Sequence, residues 1–445
     1  MKMRLLLAFF ASFFVGCSYL LYQHVPAGPQ AHQDIDSKAY VHHAQLFAQE
    51  NILVKNNHTP YYTLGYSLIM GFIYKIFGQS TLPLIVLQIL LSLLSGLLLF
   101  ILAGRFFNPT IAIISAGFFA CNIGYLTFSQ FILTEICLSF FLLLFFERFT
   151  LFLQTTQQRP LIHSGLALGL SMLIKPAAAL YFVIPLSFIA FVLFKKRASM
   201  QVTINMMSIF VLCFCAPIML HMIHNKYAFG NFRLTELNEI NLYFWFYPNV
   251  RAQQNGTTAD YERVMLQKHA QKEGGMQEIK NQFFEDAKDN FKLFVYVWLA
   301  NVAKTFCGLY TTNLKVLLNE KVRGGDISFF KMKGSWWHKI KSYIVVGANS
   351  WWLRAIAFFE AVWQPLRYLL CLIALMFIFG QKRYVLFYFF SSYLAYFSLI
   401  TGHDGCARFR MMFEFILIML AAAGLMIVWM YATRKPVQKP ARRRT

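Results

Sequence analysis

The stretch AHQDIDSKAYVHHAQLFAQENILVKNNHTPYYTLGY covers residues 31–66, between the first apolar segment of the chain and the next. It places two carboxylates, Asp34 and Asp36, directly after what reads as a membrane crossing. Tyr40 and Ala44 follow Asp36 at intervals of four residues, a spacing that puts all three side chains on one face of a helix. An acid at such a place is either a solvated loop residue or a catalytic base, and the rest of the sequence has to distinguish the two.

The composition is that of a membrane protein. Hydrophobic residues make up 58% of the 445 residues and charged residues only 13%, whereas soluble domains carry about 25% charged residues. Apolar runs of about 18 residues or more recur along the chain, which predicts membrane-spanning helices. Basic cytoplasmic loops explain the net charge of +22, so we expect membrane lipids as partners and no nucleic acid.

The apolar runs predict about ten spans. They lie near residues 4–22, 82–103, 109–126, 131–152, 161–177, 178–194, 202–222, 356–380, 384–401 and 411–432. The first is kept as a helix because it lacks a convincing small-residue cleavage site. Basic loops and the basic tail place both termini in the cytoplasm by the positive-inside rule. Two further apolar pieces, 61–78 and 291–310, are predicted to lie on the outer membrane surface.

This topology divides the chain into four parts. They are an amino-terminal transmembrane module at 1–222 with a first outer loop at 23–80, an outer-face loop and amphipathic region at 223–355, carboxyl-terminal transmembrane helices at 356–433, and a basic cytoplasmic tail at 434–445.

The predicted topology brings a set of charged side chains to the outer face of the membrane. They are Asp34, Asp36, Glu135, Lys175, Arg408 and Arg410. An acid near a span is costly unless it is paired, so Glu135 is a functional candidate, although an interfacial helix contact would also explain it. Lys175 reads equally as a snorkelling lysine at a helix end. The planar guanidinium of arginine matches phosphate oxygens, so both arginines fit a phosphate-bearing lipid unless they only anchor the interface.

Metal and nucleotide chemistry receive little support from the sequence. His42 and His43 follow Tyr40 and could join the two acids around a divalent ion, but their spacing specifies no metal. No cofactor is therefore predicted, and a divalent cation is left open. Neither GxGxxG nor GxxxxGK[ST] occurs, which argues against a nucleotide-driven pump and against a soluble nucleotide-sugar domain.

A series of short motifs, in order along the chain, resembles the polytopic membrane glycosyltransferases that use polyprenyl-phosphate sugars. This family includes the dolichyl-phosphate-mannose protein mannosyltransferases and the bacterial aminoarabinose transferases. The motifs are DSKAYVHHA at 36–44, PYYTLGYSLIMGFIYKIFGQS at 60–80, LTE at 133–135, KP at 175–176, NKYAFGNFRLTELNEINLY at 225–243 and RFRMMFEF at 408–415. The resemblance implies an all-α integral membrane protein with the C-type glycosyltransferase (GT-C) fold and juxtamembrane helices on its outer face.

The resemblance also implies a reaction. A sugar would pass from a polyprenyl-phosphate donor to a lipid, glycan or protein acceptor in one inverting step, with Asp36 as general base and Asp34 as its rival. Glu135 would orient the acceptor. Three cations, Arg408, Arg410 and Lys175, would bind the donor phosphate. The acceptor or substrate loop would include Tyr40, Tyr61, Tyr66, Asn225 and Tyr243. A bacterial plasma membrane, with the site facing the periplasm or exterior, is the expected location.

The chain departs from the family pattern, and other functions stay open. His224 stands where the family often has arginine, and no proline occurs at Met412 or Phe415, which loosens any assignment of donor or acceptor. A polyprenyl-linked glycan ligase or polymerase would also use outer arginines, but it would lack the early aspartate loop. A lipid or sugar transporter would favour inverted repeats and mid-membrane charges, and the sequence has no convincing internal repeat.

Overall fold

The structure is a computed structural model that describes residues 2–24, 36–49, 62–318 and 350–433, together with residues 335, 338 and 341. Within these ranges the chain is helical and contains no β-strand. Asp34, Tyr61 and the tail at 434–445, to which the sequence analysis gave roles, lie outside the described residues.

Helices α1 to α10 form the amino-terminal module. Their bounds are α1 Lys2–His24, α2 Ser37–Gln49, α3 Gly65–Phe77, α4 Leu82–Phe106, α5 Pro109–Ala120, α6 Ile123–Phe128, α7 Glu135–Thr155, α8 Gln158–Ile174, α9 Val183–Lys195 and α10 Met200–Phe229. Helix α2 begins directly after Asp36 and buries Tyr40 and Ala44 on one face, as the four-residue spacing predicted.

The remaining helices begin with short segments within residues 230–290, which we call the peripheral region. They are α11 Leu237–Ile240, α12 Tyr247–Asn255, α13 Ala259–Ala270, α14 Gly275–Asp289, α15 Phe291–Cys307, α16 Thr311–Leu317, α17 Trp351–Gly380, α18 Tyr384–Leu399 and α19 Glu414–Thr433. A π-helical turn at Asn241–Phe246 precedes α12, and the 3-10 turns Ile400–His403 and Ala407–Met412 join α18 to α19.

Seven of the described helices are long and apolar enough to cross a membrane, or eight if α15 and α16, which meet at a 70° bend, form one span. This number is below ten because the predicted crossings 109–126, 161–177 and 178–194 fold as helices of 12, 17 and 13 residues. The first of them breaks at Asn122, whose side chain accepts a hydrogen bond from the Tyr125 N–H (3.1 Å) and so starts a new helix.

The segment predicted at 291–310 as a surface helix instead forms α15, the first arm of the bend. Asn301 and Thr305 on this helix are fully buried, so its polar face packs into the protein rather than facing water. The Asn301 amide donates to the Gly402 carbonyl (2.9 Å) and the Trp298 indole donates to the Leu399 carbonyl (2.9 Å). Helix α15 is thereby attached to the turn that follows α18.

Apolar exposure identifies the lipid-facing surface. On α17 the exposed side chains Phe358, Val362, Leu366, Leu369 and Met376 recur every three to seven residues, which is one face of a helix. The opposite face of α17 packs tightly on α19, since a Cβ added at Gly424 would lie 2.0 Å from the Leu370 carbonyl oxygen. Small residues at such crossings let membrane helices approach closely.

Candidate active site

The site begins where two antiparallel helices meet. Helices α7 and α8 are joined by a short connection and pack along each other, so the first residue of α7 lies beside the residue that follows α8. These residues are Glu135 and Lys175, and the Lys175 Nζ lies 3.5 Å from the Glu135 Oε1. Pro176 follows Lys175 and ends the helix there. The pair that the sequence placed on one membrane face is thus an ion pair.

Asp36 is attached to the same place by its neighbour. The Ser37 hydroxyl donates to the Ile132 carbonyl (2.8 Å) in the loop that leads into α7. This contact fixes the start of α2 beside Ile132, which precedes Glu135 by three residues in the chain. The Asp36 carboxylate in turn accepts a hydrogen bond from the Arg408 Nη2 at 2.6 Å, although the two residues are separated by 372 positions.

Arg408 links the two acids. It lies on the 3-10 turn Ala407–Met412, and its Nε is 3.9 Å from the Glu135 Oε1. The side chains of Arg408 and Asp36 keep 20% and 27% of their exposure, so they are reachable from solvent while Glu135 is buried. Two acidic and two basic side chains therefore form one cluster with no net formal charge. We call Asp36, Glu135, Lys175 and Arg408 the charge quartet.

An aromatic ring lies beneath the two cations of the charge quartet. The Lys175 Nζ is 4.6 Å and the Arg408 guanidinium 5.4 Å from the centre of the Phe409 ring. The His403 ring packs on the same phenyl group at 5.0 Å. Cation–π contacts of this kind hold charged ends in place without neutralising them.

Two of the tyrosines predicted for the substrate loop form a buried wall beside the quartet. The ring of Tyr40 lies 5.3 Å from that of Tyr66 and 5.1 Å from that of Tyr62. The Tyr66 hydroxyl donates to Gln88 (2.9 Å), and Gln88 donates to the Phe131 carbonyl (2.8 Å). Tyr40 and Tyr66 therefore position the loop before α7, and both are too buried to be broadly open to a substrate.

The other two described members of that predicted loop are Asn225 and Tyr243. Their contacts are with residues outside the charge quartet. Asn225 is fully buried at the end of α10, where its amide donates to the Arg233 carbonyl at 2.7 Å. Tyr243 packs against Phe283 at 5.3 Å between their ring centres, within a second hydrophobic cluster made by the peripheral helices. Both residues hold the peripheral region together.

The two histidines considered as metal ligands lie on α2. The rings of His42 and His43 are 5.9 Å apart. No group of three His, Cys, Asp or Glu side chains suited to a metal ion occurs within the described ranges.

Arg410 does not join the charge quartet. Its side chain is completely buried, and its Nη1 donates to the carbonyls of Thr305, Phe306 and Gly308 at 3.2, 3.0 and 2.8 Å. The structure therefore places this predicted phosphate ligand behind the site, where its guanidinium is taken up by three carbonyls at and just after the end of α15.

Arg410 belongs to a second buried cluster, with Glu360, Arg367 and Glu414, that the sequence analysis missed. The signal was present, because these three residues lie inside the predicted spans 356–380 and 411–432, where charged groups are rare and paired. The Arg367 guanidinium bonds to Glu414, and both side chains are almost completely buried. We call these four residues the buried ion network.

Burial and the charge quartet act in opposite directions on Asp36. Burial raises the pKa of its carboxyl group, but Arg408 and Lys175 outweigh that effect and hold the pKa below the ordinary value of 3.8. Asp36 is therefore ionised at neutral pH while it is paired with Arg408.

This depressed pKa predicts how stability depends on pH. The Asp36 contribution is present above the unfolded-state pKa and is lost as the pH falls through the folded-state pKa. We expect the difference in Tm between the wild type and Asp36→Asn to stay constant from neutral pH down to about 3.8 and to shrink below it. Thermal unfolding of both proteins across this range is the measurement. A difference that already disappears well above this pH would contradict the ion pair.

Comparison with known proteins agrees with the fold. Residues 59–221 match the family described as dolichyl-phosphate-mannose-protein mannosyltransferase. The structure is similar to the archaeal oligosaccharyltransferase AglB from Archaeoglobus fulgidus, solved with an inhibitory peptide and a dolichol-phosphate, with a TM-score of 0.50, 14% identity, and coverage of 95% of this chain and 50% of that chain. ArnT from Cupriavidus metallidurans, bound to undecaprenyl phosphate, gives a TM-score of 0.41 and 13% identity over 96% of this chain and 78% of that chain. A search of curated protein sequences gives no match.

The likeness to AglB, at 14% identity, concerns the fold, and this chain spans half the length of that enzyme. The prediction of an all-α integral membrane protein with the GT-C fold is confirmed. Glu135 and Lys175 lie inside the region that matches the family, whereas Asp36 and Arg408 lie outside it. Residues 59–221 match the dolichyl-phosphate-mannose-protein mannosyltransferase family, and this match confirms the resemblance predicted from the motifs at 60–80, 133–135 and 175–176.

Proposed function

We propose that the protein is a membrane glycosyltransferase that moves a sugar from a polyprenyl-phosphate donor to an acceptor hydroxyl. The charge quartet is the observation that carries this proposal. It combines a partly exposed carboxylate with two cations at one place. Asp36 and Arg408, which make a 2.6 Å contact, are 372 positions apart, so this is not a local ion pair.

The proposed reaction is a single inverting displacement. The acceptor oxygen attacks the anomeric carbon of the sugar, and the bond between that carbon and the phosphate oxygen breaks. Asp36 takes the hydroxyl proton as general base, while the electron pair of the broken bond leaves with the lipid phosphate. Arg408 and Lys175 would stabilise the charge that develops on this phosphate, and Glu135 would hold both cations in place.

This reaction requires the Asp36–Arg408 pair to open. A carboxylate bound to a guanidinium is a weak base, because the pairing lowers its pKa. A lipid phosphate that takes over Arg408 would release Asp36 and raise its pKa toward the range useful for proton transfer. Donor binding would thereby create the base that the acceptor needs.

We place the reaction on the outer face of a bacterial plasma membrane, with a lipid, glycan or protein as acceptor. The placement is supported by the basic residues at the opposite end of the helices. Arg383 donates to the Phe106 carbonyl (2.9 Å), and Lys196 donates to the Gln154 carbonyl (3.4 Å). Positive charge collects on the cytoplasmic side of membrane proteins, so the charge quartet would face the other side.

One observation favours a transporter as the second candidate. The buried ion network puts charged side chains inside the spans α17 and α19, as transporters do at their substrate sites. Both functions can be tested on the purified chain in sealed liposomes with undecaprenyl-phosphate sugars. We expect release of free undecaprenyl phosphate when an acceptor-containing membrane extract is supplied. Movement of the lipid-linked sugar across the bilayer without cleavage would instead support the transporter.

A further inference from the structure

The buried ion network lies directly behind the turn that carries Arg408. Two of its members, Arg410 and Glu414, follow Arg408 closely in the chain. In a 3-10 turn each residue rotates by about 120°, so side chains two positions apart point about 120° away from each other. Arg408 consequently faces the charge quartet, while Arg410 faces the interior.

Arg410 connects this turn to the end of α15. Its three hydrogen bonds to carbonyls there satisfy acceptors that the helix leaves unpaired. Its guanidinium also lies 4.2 Å from the centre of the Tyr310 ring, at the bend between α15 and α16. A single side chain thus joins the Arg408 turn to the bend.

Two carboxylates complete the network from other helices. Glu414 accepts hydrogen bonds from the Arg410 Nε (3.1 Å), the Tyr310 hydroxyl (3.1 Å) and the Asn122 amide (2.7 Å). Glu360, on α17, accepts from the backbone N–H groups of Tyr310 (2.7 Å) and Thr311 (2.9 Å). The network therefore connects the turn Ala407–Met412 to four parts of the fold, which are the bend between α15 and α16, α17, α19 and the break between α5 and α6.

Stability alone does not account for this arrangement. Removing charged groups from water is costly, and apolar replacements of buried ion pairs are often neutral or stabilising. A network that fixes geometry is the attested alternative reason to keep buried charges. The geometry fixed here is that of the turn Ala407–Met412.

We propose that Arg410 and Glu414 are positioning residues that hold Arg408 in place for the lipid phosphate. The lipid phosphate in this inference rests on the proposed function, whereas the contacts that hold Arg408 in place do not depend on it. Arg410 touches no substrate in this proposal and acts only through Arg408.

The first test is a double-mutant cycle with undecaprenyl phosphate as the probe, using the full chain in detergent. We expect Arg410→Lys to raise the Kd about tenfold or more, which is roughly the effect of losing one hydrogen bond to a charged group. Arg408→Lys should raise it at least as much, and the double variant should be no worse than Arg408→Lys alone, because coupled residues are not additive. Arg105→Lys is the matched control, since Arg105 pairs (2.6 Å) with the buried Glu147, which lies 12 residues after Glu135 on α7, and it should leave the Kd unchanged.

A second readout needs no ligand. If Arg410 positions Arg408, the Tm shift caused by Asp36→Asn should become smaller in the Arg410→Lys background than in the wild type. Additive effects on the Kd, or an unchanged Asp36→Asn shift in a folded Arg410→Lys protein, would overturn the proposal. A wild type that does not bind undecaprenyl phosphate would remove the proposed function, and the Tm comparison would then decide the positioning role alone.

Discussion

Replacing Asp36 by asparagine should lower the kcat of sugar transfer by roughly 100-fold to 10,000-fold, the range typical of a general base. The same change should tighten the binding of undecaprenyl phosphate, because Asp36 competes with the phosphate for Arg408. A loss of kcat together with a lower Kd is a combination that simple unfolding cannot produce. Radiolabelled sugar transfer and equilibrium binding measure the two quantities.

The control for this variant is Asp260→Asn. Asp260 pairs with Arg263 at 2.8 Å on the peripheral helix α13, and its side chain is 65% exposed, so its replacement should leave both quantities near wild type. The loss for Asp36→Asn should also exceed that for Asp34→Asn. The reverse order would transfer the role of base to Asp34, and equal activity of Asp36→Asn and wild type would end the proposed mechanism.

Replacing Arg408 by glutamine should lower kcat by roughly 100-fold to 1,000-fold, as the loss of one preorganised donor to a developing oxyanion does in other enzymes. It should also raise the Kd for undecaprenyl phosphate, the opposite of the Asp36 variant. The two acids of the charge quartet would then have only Lys175 as a cation, so the activity that remains should be lost at higher ionic strength. Transfer assays over a series of salt concentrations test this.

Arg251→Gln is the matched control for Arg408→Gln. Arg251 pairs with Glu262 at 2.9 Å and keeps 23% of its side-chain exposure, compared with 20% for Arg408. It lies on the peripheral helix α12, so its loss should change stability without changing transfer. A similar fall in kcat for both variants would mean that the effect of Arg408→Gln is structural.

The sequence predicted the parts of the site that follow from periodicity and motif order. The spacing of Asp36, Tyr40 and Ala44 implied a helix with one buried face, and burial of that face follows from its residue types. Alternating spans placed Glu135 and Lys175 at one membrane face, since consecutive antiparallel helices bring such ends together, but the ion pair between them was not predicted.

The sequence did not predict which of two neighbouring arginines faces the site. Arg408 and Arg410 have the same chemistry and both follow a span, and only the 3-10 geometry of their turn separates them. The crossing predicted at 109–126 was wrong for a related reason, because Asn122 is equally compatible with a helix interior and with a cap until tertiary contacts decide. The partner of Asn122, Glu414, is distant in sequence.

The ion pairs of Glu135 and Glu147, the first at the start of α7 and the second within it, bear on the position of this helix in the bilayer. Glu135 and Glu147 are 12 residues apart on this helix, which at about 1.5 Å per residue is about 18 Å along its axis. The hydrocarbon core of a membrane is about 30 Å thick. If Glu135 lies at one surface of that core, the Glu147 carboxylate would lie inside the hydrocarbon layer, where it is tolerated because the protein buries its side chain and the Arg105 guanidinium pairs with it at 2.6 Å.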